Sequence, residues 1–231
     1  MPSSASAGYP SAPGMYNLTT EFSDPATQAQ HLVQYTLRIP DAYDGQTALP
    51  VILGLHFGGQ ATDFYGRIFL SLIPEPGLGD LPAFLVAPTI RTGNWTTAEG
   101  ETIAWAALAA VEQALPVDTS RRVVMGYSLG GIGTWHFAAA FRHRFMAGIP
   151  IAGAPRRADL AALRDMPLYV IHSRADQIVP IDEDEAAVRQ LREMGAPVKF
   201  APLPQGGHFD YGSVTAELEN AADWLEQLWR Q

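Results

Sequence analysis

A short apolar run that ends at a glycine-flanked serine constrains the fold of this chain more than any other segment. Val123–Met125 reads as a buried strand, Gly-Tyr-Ser-Leu-Gly follows at 126–130, and the small apolar run 132–141 is compatible with a helix. A serine at such a strand-to-helix turn adopts a strained backbone conformation, and the two glycines lack the Cβ atoms that would collide around it. The pattern predicts a nucleophile elbow with the Ser128 hydroxyl exposed above the sheet edge. The alternative is a plain structural turn.

Strand-like and helix-like segments alternate from residue 31 onward. Strands are predicted at His31–Ile39, Val51–Leu55, Ala83–Ala87, Arg122–Met125, Ala147–Ile151, Leu168–Ile171 and Val198–Leu203, and helices at Ala104–Ala114, Asp184–Met194 and Val214–Trp229. Several strands are continuous apolar runs, which is typical of parallel strands covered on both faces. The alternation predicts an α/β fold with a mostly parallel twisted sheet and helices on both faces. The segment Tyr16–Phe22 is a candidate antiparallel edge strand.

The length of 231 residues fits one domain with a substantial core. Residues 1–14 are rich in Ser, Ala, Pro and Gly, so we expect a flexible N-terminal tail followed by a single domain over 15–231. The Pro- and Gly-rich stretch Ile73–Pro82 is interpreted as a surface loop. Little sequence separates the strands that end near Ile151 and begin near Leu168, so we expect no large lid and an open, shallow site.

Charge and composition narrow the range of partners. The formal net charge is −9, and the 15 Lys and Arg residues form no dense run, which argues against nucleic acid as a partner. No apolar run approaches the roughly 20 residues of a membrane span, so we expect a soluble protein without membrane insertion. The N-terminus lacks the pattern of a secretory signal, which suggests a cytoplasmic location. The absence of Cys excludes disulfides, thiolate metal sites and a Cys nucleophile. The oligomeric state stays open.

Two loops further along the chain supply an acid and a base for Ser128. A serine hydroxyl is a poor nucleophile at neutral pH and needs a base held in the correct tautomer. Asp176 follows the strand that starts at Leu168, and His208 lies in a Gly-flanked loop after the last strand. The order Ser, acid, His is the one that nucleophile-elbow folds use. The alternatives are a turn-stabilising or capping Asp and an exposed loop His. Asp182 and Asp184 are interpreted as residues at the start of the next helix, where they favour its dipole.

An oxyanion hole needs N–H donors aimed at the tetrahedral oxygen. The residue after the nucleophile, Leu129, is one candidate donor, and Gly58, in Leu-His-Phe-Gly-Gly at 55–59, is the preferred second, with Phe57 as the alternative. A plain tight turn would also explain the two glycines. Phe57 and Trp95 are candidate substrate-binding residues, although a role as a loop or core anchor explains Trp95 as well.

The remaining candidate residues have structural interpretations. His56 and His172 directly follow strands and are interpreted mainly as loop-shaping groups that hydrogen-bond the backbone, while Trp135 is interpreted as core. The spacing of residues shows no metal-ligand cluster. A phosphate-cradling loop with a neighbouring Lys is also missing, since the one Lys is Lys199. We therefore expect neither a metal nor another cofactor.

With these residues together, the chain resembles the α/β-hydrolase superfamily of serine esterases over about residues 30–230. It is most similar to the small lidless phospholipase/carboxylesterase group and to the polyhydroxybutyrate-depolymerase or feruloyl-esterase-like group. The segments that carry the resemblance are 55–59, Gly-Tyr-Ser-Leu-Gly-Gly at 126–131, the Asp176 loop and Gly-Gly-His at 206–208. Such families usually have His-Gly in the oxyanion loop, whereas Phe57 follows His56 here. The depolymerases and feruloyl esterases usually carry cysteines and a secretory signal, whereas this sequence has no Cys and no signal pattern.

The resemblance implies a serine carboxylesterase in which Ser128, His208 and Asp176 form a catalytic triad. The expected substrates are small esters with short acyl chains, because a lidless site offers little apolar enclosure. A thioesterase or a serine peptidase of the same fold is the enzymatic alternative, since the triad does not select the leaving group. A non-catalytic binding protein that kept the fold is the alternative from another class.

Overall fold

The computed structural model of the protein describes residues 8–23 and 30–230. Residues 1–7 of the predicted flexible tail lie outside the described residues. Closer to the domain, the hydroxyls of Tyr9 and Tyr35 lie 3.1 Å apart and share a hydrogen bond. The first strand begins at Gly14, one residue before the predicted start of the domain. The last residues of the predicted tail therefore contact the folded part of the chain.

One twisted sheet organises the described residues. Its strands are β1 (Gly14–Ser23), β2 (Gln30–Ile39), β3 (Leu49–Leu55), β4 (Phe84–Pro88), β5 (Val117–Tyr127), β6 (Ala147–Ile151), β7 (Leu168–Ser173) and β8 (Val198–Leu203). Their spatial order is β1-β2-β4-β3-β5-β6-β7-β8. The pairs β1–β2 and β2–β4 are antiparallel, and the strands from β4 to β8 run parallel. The predicted antiparallel edge strand is confirmed as β1.

Helices cover both faces of this sheet. They are α1 (Tyr65–Leu72), α2 (Pro74–Leu78), α3 (Ala98–Ala114), α4 (Leu129–Ala140), α5 (Asp182–Glu193) and α6 (Tyr211–Trp229). Residues of α1, α2 and α6 form one apolar cluster on one face of the sheet. Residues of α3, α4 and α5 form a second cluster on the other face, and side chains of β3 and β5 contribute alternately to the two clusters. This is the α/β-hydrolase fold that the sequence predicts.

The interpretation of Ile73–Pro82 as a surface loop is wrong. Pro74 occupies the first turn of α2, where its missing N–H costs nothing and its fixed φ suits a helix. Ile73 and Leu78 are buried. Gly77 lies so close to α6 that an added Cβ would come within 2.5 Å of the Cβ of Leu218. This stretch is therefore part of the apolar core that packs α6 against the sheet.

The parallel strands bring the candidate residues to one edge of the sheet. The segments after β3, β5, β7 and β8 carry His56, Ser128, Asp176 and His208, respectively. Because the carboxyl ends of parallel strands meet at the same edge, these four residues of distant sequence come together. Between β6 and β7 the chain forms only a short 3₁₀ helix, Leu160–Leu163, and this connection contains no lid domain.

None of the helices in the described part of the chain is both long and apolar enough to cross a bilayer. The cytoplasmic location stays a prediction.

Candidate active site

Ser128 lies at the turn between β5 and α4, with φ 55° and ψ −113°. A residue with a side chain rarely adopts this conformation, and it persists only where the surroundings enforce it. An added Cβ at Gly126 would overlap the carbonyl oxygen of Gly130, and one at Gly130 would overlap that of Leu55. The Ser128 N–H donates to the carbonyl of Ile151 at 2.9 Å. The two glycines thus allow the close packing that keeps the serine in its strained turn.

His208 bridges Ser128 and Asp176. Its Nε2 lies 2.8 Å from Ser128 Oγ, and its Nδ1 lies 2.6 Å from Asp176 Oδ2. His208 is buried, with 6% of the residue exposed. The Tyr127 hydroxyl donates to the His208 carbonyl, which fixes the loop between β8 and α6 against the elbow. The structure therefore brings the three predicted residues into one hydrogen-bonded chain.

The environment of Asp176 selects the tautomer of His208. The other carboxylate oxygen of Asp176, Oδ1, accepts hydrogen bonds from the N–H groups of Ile178 and Val179, each at 2.9 Å. Burial raises the pKa of Asp176, but the hydrogen bonds from His208 and from these two N–H groups lower it, and the net shift is downward. An ionised carboxylate only accepts, so His208 Nδ1 carries the proton. Nε2 is then free to accept the proton of the serine hydroxyl.

The loop after β3 lies beside the start of α4. A Cβ added to Gly58 would lie 3.7 Å from the Cβ of Leu129, so the two predicted N–H donors belong to neighbouring residues. His56 holds this loop: its Nδ1 lies 2.7 Å from the Phe57 carbonyl oxygen, and its Nε2 accepts from the Ile90 N–H at 3.1 Å. The interpretation of His56 as a loop-shaping group is confirmed.

His56 is buried in its neutral form. Burial lowers its pKa to about 4, more than the hydrogen bonds to backbone groups raise it. In the unfolded chain His56 has an ordinary pKa and binds a proton below about pH 6.5, whereas in the folded protein it binds a proton only near pH 4. The unfolded state therefore gains stability relative to the folded state as the pH falls from about 6.5 towards 4. The contribution of neutral His56 to the stability of the fold is complete above about pH 6.5 and is lost over this range.

We expect protonation of His56 to account for a decrease of about 3 kcal/mol in the free energy of unfolding of the wild-type protein between pH 7 and pH 4. Urea unfolding of wild type and His56→Asn at both pH values measures this contribution as the difference in pH dependence. His143→Gln is the matched control, because that side chain is exposed. An equal loss of stability on acidification in wild type and His56→Asn would contradict the prediction.

Trp95 does not line an open pocket, and the prediction that it binds substrate is wrong. Its side chain is 0% exposed, and its indole N–H donates to the His56 carbonyl at 2.9 Å. The Trp95 and His56 rings also meet edge to face at 4.9 Å. The prediction followed from the position of Trp95 just after β4, near the site. The hydrogen bond to His56 instead directs the indole into the protein. Trp95 therefore supports the loop after β3 from its buried side.

Phe57 is partly exposed and joins an aromatic cluster beside the elbow. Its ring stacks on Tyr211 at 6.2 Å and meets Tyr65 and Tyr127 edge to face at 5.5 and 6.4 Å. Tyr211 and Tyr65 were missed by sequence reasoning, because no motif or spacing linked α1 and α6 to the serine. The cluster borders the site on the side of the β3 loop.

The interpretation of Asp184 as a helix-start residue is incomplete, because the side chain points into the protein. Asp184 is 0% exposed, whereas Asp182 is exposed at the first turn of α5 as expected. The carboxylate of Asp184 pairs with His172 Nδ1 at 2.7 Å and accepts from the Trp135 indole at 3.0 Å. Trp135 is buried, as predicted. His172 Nε2 lies 2.7 Å from the Val179 carbonyl oxygen, in agreement with its predicted bond to the backbone.

The described residues contain no group of three or more His, Asp or Glu side chains arranged to hold a metal ion.

Comparison with known proteins supports the fold and identifies relatives. A model of the dienelactone hydrolase family matches residues 87–223, more than half of the chain. A probable feruloyl esterase C from Aspergillus niger is 29% identical over 181 residues, which cover 75% of this chain and 66% of that protein. One from Aspergillus terreus is 31% identical over 64% of this chain and 57% of its own length. The chain thus spans less than two thirds of these curated relatives.

Among solved structures, a thermostable esterase superposes with a TM-score of 0.76 at 23% sequence identity. The superposition covers 91% of this chain and 62% of the esterase. At this level of identity the likeness shows the shared fold.

Proposed function

The chain belongs to the dienelactone hydrolase family, and we propose that it is a carboxylic ester hydrolase with Ser128 as its nucleophile. The observation that carries the proposal is the bridge that His208 makes between Ser128 Oγ at 2.8 Å and Asp176 Oδ2 at 2.6 Å. A nucleophile, a base and a group that orients the base are the parts that acyl transfer to serine needs. The names of the feruloyl esterase relatives agree with ester hydrolysis.

In the proposed mechanism, Ser128 Oγ attacks the ester carbonyl while His208 Nε2 takes the hydroxyl proton. The tetrahedral intermediate collapses when its C–O bond to the alcohol breaks, and His208 returns the proton to the departing alcohol. Water then attacks the acyl-enzyme, again with His208 as base, and the acid and free Ser128 are released. Asp176 stays ionised throughout and stabilises the imidazolium.

The N–H groups of Leu129 and Gly58 are the proposed oxyanion donors. The Phe57–Gly58 peptide is trans, so the Phe57 carbonyl and the Gly58 N–H point in opposite directions. Because His56 holds that carbonyl, the Gly58 N–H faces away from His56. A Gly58 N–H held in this way needs no reorganisation when negative charge develops on the substrate. This argument favours Gly58 over Phe57 as the second donor.

Small esters with short acyl chains are the proposed substrates. Two large apolar side chains next to the triad are open to solvent: Phe209 is 70% and Ile178 is 62% exposed. They offer one-sided contact rather than an enclosed apolar channel, and a long acyl chain would gain little by lying across them. The same contact would suit an aromatic acyl group such as that in the names of the feruloyl esterase relatives.

A fluorophosphonate probe and a p-nitrophenyl ester series, from acetate to decanoate, test the proposal together. We expect the probe to modify Ser128, as located by peptide mass spectrometry, and hydrolysis to fall in proportion to labelling. Activity should decrease with acyl length. Activity that peaks at long chains would overturn the short-acyl proposal but keep the mechanism.

Matched thioester and anilide substrates separate the remaining alternatives. Faster turnover of the thioester or the anilide would favour a thioesterase or a peptidase. If Ser128 is not labelled and no substrate is hydrolysed, the non-catalytic binding protein is the better reading.

A further inference from the structure

A second histidine–carboxylate pair lies directly behind Asp176. His172, at the end of β7, and Asp184, in the first turns of α5, pair at 2.7 Å with both side chains fully buried. The other ring nitrogen of His172, Nε2, lies 3.4 Å from Asp176 Oδ2, the oxygen that accepts from His208. The proposed ester-hydrolase mechanism leaves this pair without a role.

The partners of the pair determine where its protons are. A carbonyl oxygen only accepts, so His172 Nε2 carries a proton that it donates to Val179 at 2.7 Å. An indole N–H only donates, so one oxygen of Asp184 accepts from Trp135. Burial lowers the pKa of His172, but the hydrogen bond and charge of Asp184 raise it, and the net shift is upward. The imidazole of His172 is thereby held with its Nε2 atom beside Asp176 Oδ2.

These contacts form a ring that links α4, α5 and β7 with the three residues of the triad. Trp135 lies on α4, the helix that begins at the residue after Ser128. From Trp135 the ring passes through Asp184 on α5 and His172 on β7 to Asp176. From Asp176 it returns through His208 to Ser128. Side-chain contacts as well as the sheet therefore connect α4, the helix that follows Ser128, to the carboxylate of Asp176.

Stability alone is a weak reason for such a pair. Burying two ionisable groups costs desolvation that their attraction repays only in part, and an apolar pair of similar volume is often as stable. Val179 links the pair to Asp176 a second time, since its N–H donates to Asp176 Oδ1 and its carbonyl accepts from His172. His172 therefore lies beside Asp176 Oδ2 and also holds Val179, whose N–H donates to Asp176 Oδ1.

We propose that His172, held by Asp184, is a positioning residue that fixes the Asp176 carboxylate in the orientation in which it accepts from His208. The inference rests on the proposed function. A misplaced carboxylate would leave His208 free to rotate, and errors of about 1 Å in such a group can cost on the order of a hundredfold in rate. Substrate does not touch His172, so binding should be spared.

A double-mutant cycle with Asp176→Ala tests the inference. We expect His172→Gln to lower kcat about tenfold with KM within about twofold. In the Asp176→Ala background the same substitution should change kcat less than about twofold, because no carboxylate is left to position. An equal effect of His172→Gln in both backgrounds, or no loss of kcat in the wild type, would overturn the proposal.

Two variants of Asp184 keep the inference testable if His172→Gln fails to fold. Asp184→Asn can still accept from Trp135 and can donate to a neutral His172, so it should retain kcat within about threefold. Asp184→Ala removes both contacts and should lower kcat about tenfold. Equal losses in the two variants would count against positioning. His136→Gln is the matched control, since it removes a different histidine–carboxylate pair, which joins His136 on α4 to Glu101 on α3 at 2.6 Å.

The order of measurement separates this inference from the proposed function. Fluorophosphonate labelling and ester hydrolysis by the wild type come first. If both are absent, the proposed function fails and the cycle has no rate to measure. If both are present and the cycle shows no coupling, only the role of His172 is refuted.

Discussion

Replacement of Ser128 by alanine is expected to lower kcat/KM for p-nitrophenyl acetate by at least about 10⁴-fold. The variant lacks the Oγ atom that would form the acyl-enzyme, so His208, 2.8 Å from that oxygen, has no proton to take. A small residual rate should remain, because the oxyanion donors and the binding surface are unchanged. Steady-state kinetics with purified protein, together with loss of fluorophosphonate labelling, measure the effect.

The control must separate lost chemistry from lost structure. Ser128→Ala should keep the wild-type melting temperature within a few degrees, because alanine and serine meet the same backbone cost at φ 55°. Ser71→Ala removes an exposed helical serine instead and should keep full activity. A Ser128→Ala enzyme with more than about a tenth of the wild-type rate would refute the proposed mechanism.

Much of the sheet could be predicted, because its strands are continuous apolar runs between turn residues. The predicted bounds of β6 and β8 agree with the structure. The predicted start of β5 was five residues late, since the half-buried and exposed residues Val117–Arg121 extend the strand beyond its apolar part. Helix α3 begins at Ala98 rather than Ala104, because the Thr97 hydroxyl accepts from the Gly100 N–H and caps the helix earlier.

The meeting of Ser128, Asp176 and His208 could be predicted because topology decides it. Each residue follows a strand, and parallel strands end at one edge, so no knowledge of side-chain packing was needed. Side chains whose direction depends on a partner could not be placed in this way. Trp95 turns inward to the His56 carbonyl, and Asp184 turns inward to His172. Neither partner is close in sequence.

Replacement of Asp176 by asparagine is expected to lower kcat about 10⁴-fold while leaving the fold intact. The amide oxygen can still accept from the N–H groups of Ile178 and Val179, which directs the NH₂ group towards His208. An NH₂ group donates, so His208 Nδ1 must become the acceptor and the ring proton moves to Nε2. In that tautomer Nε2 cannot take the proton of Ser128. The loss should appear in kcat, measured by steady-state hydrolysis of p-nitrophenyl acetate.

Asp210→Asn is the matched control for this substitution. Asp210 caps the start of α6, two residues after His208, and its carboxylate accepts from the Ser213 N–H at 3.3 Å. Asparagine caps helices as well as aspartate does, so this variant should retain kcat within about threefold. A similar loss in both variants would show that any nearby charge change disturbs the site. A loss of less than about tenfold in Asp176→Asn alone would mean that His208 keeps its working tautomer without a carboxylate, and Asp176 would then not be the group that orients the base.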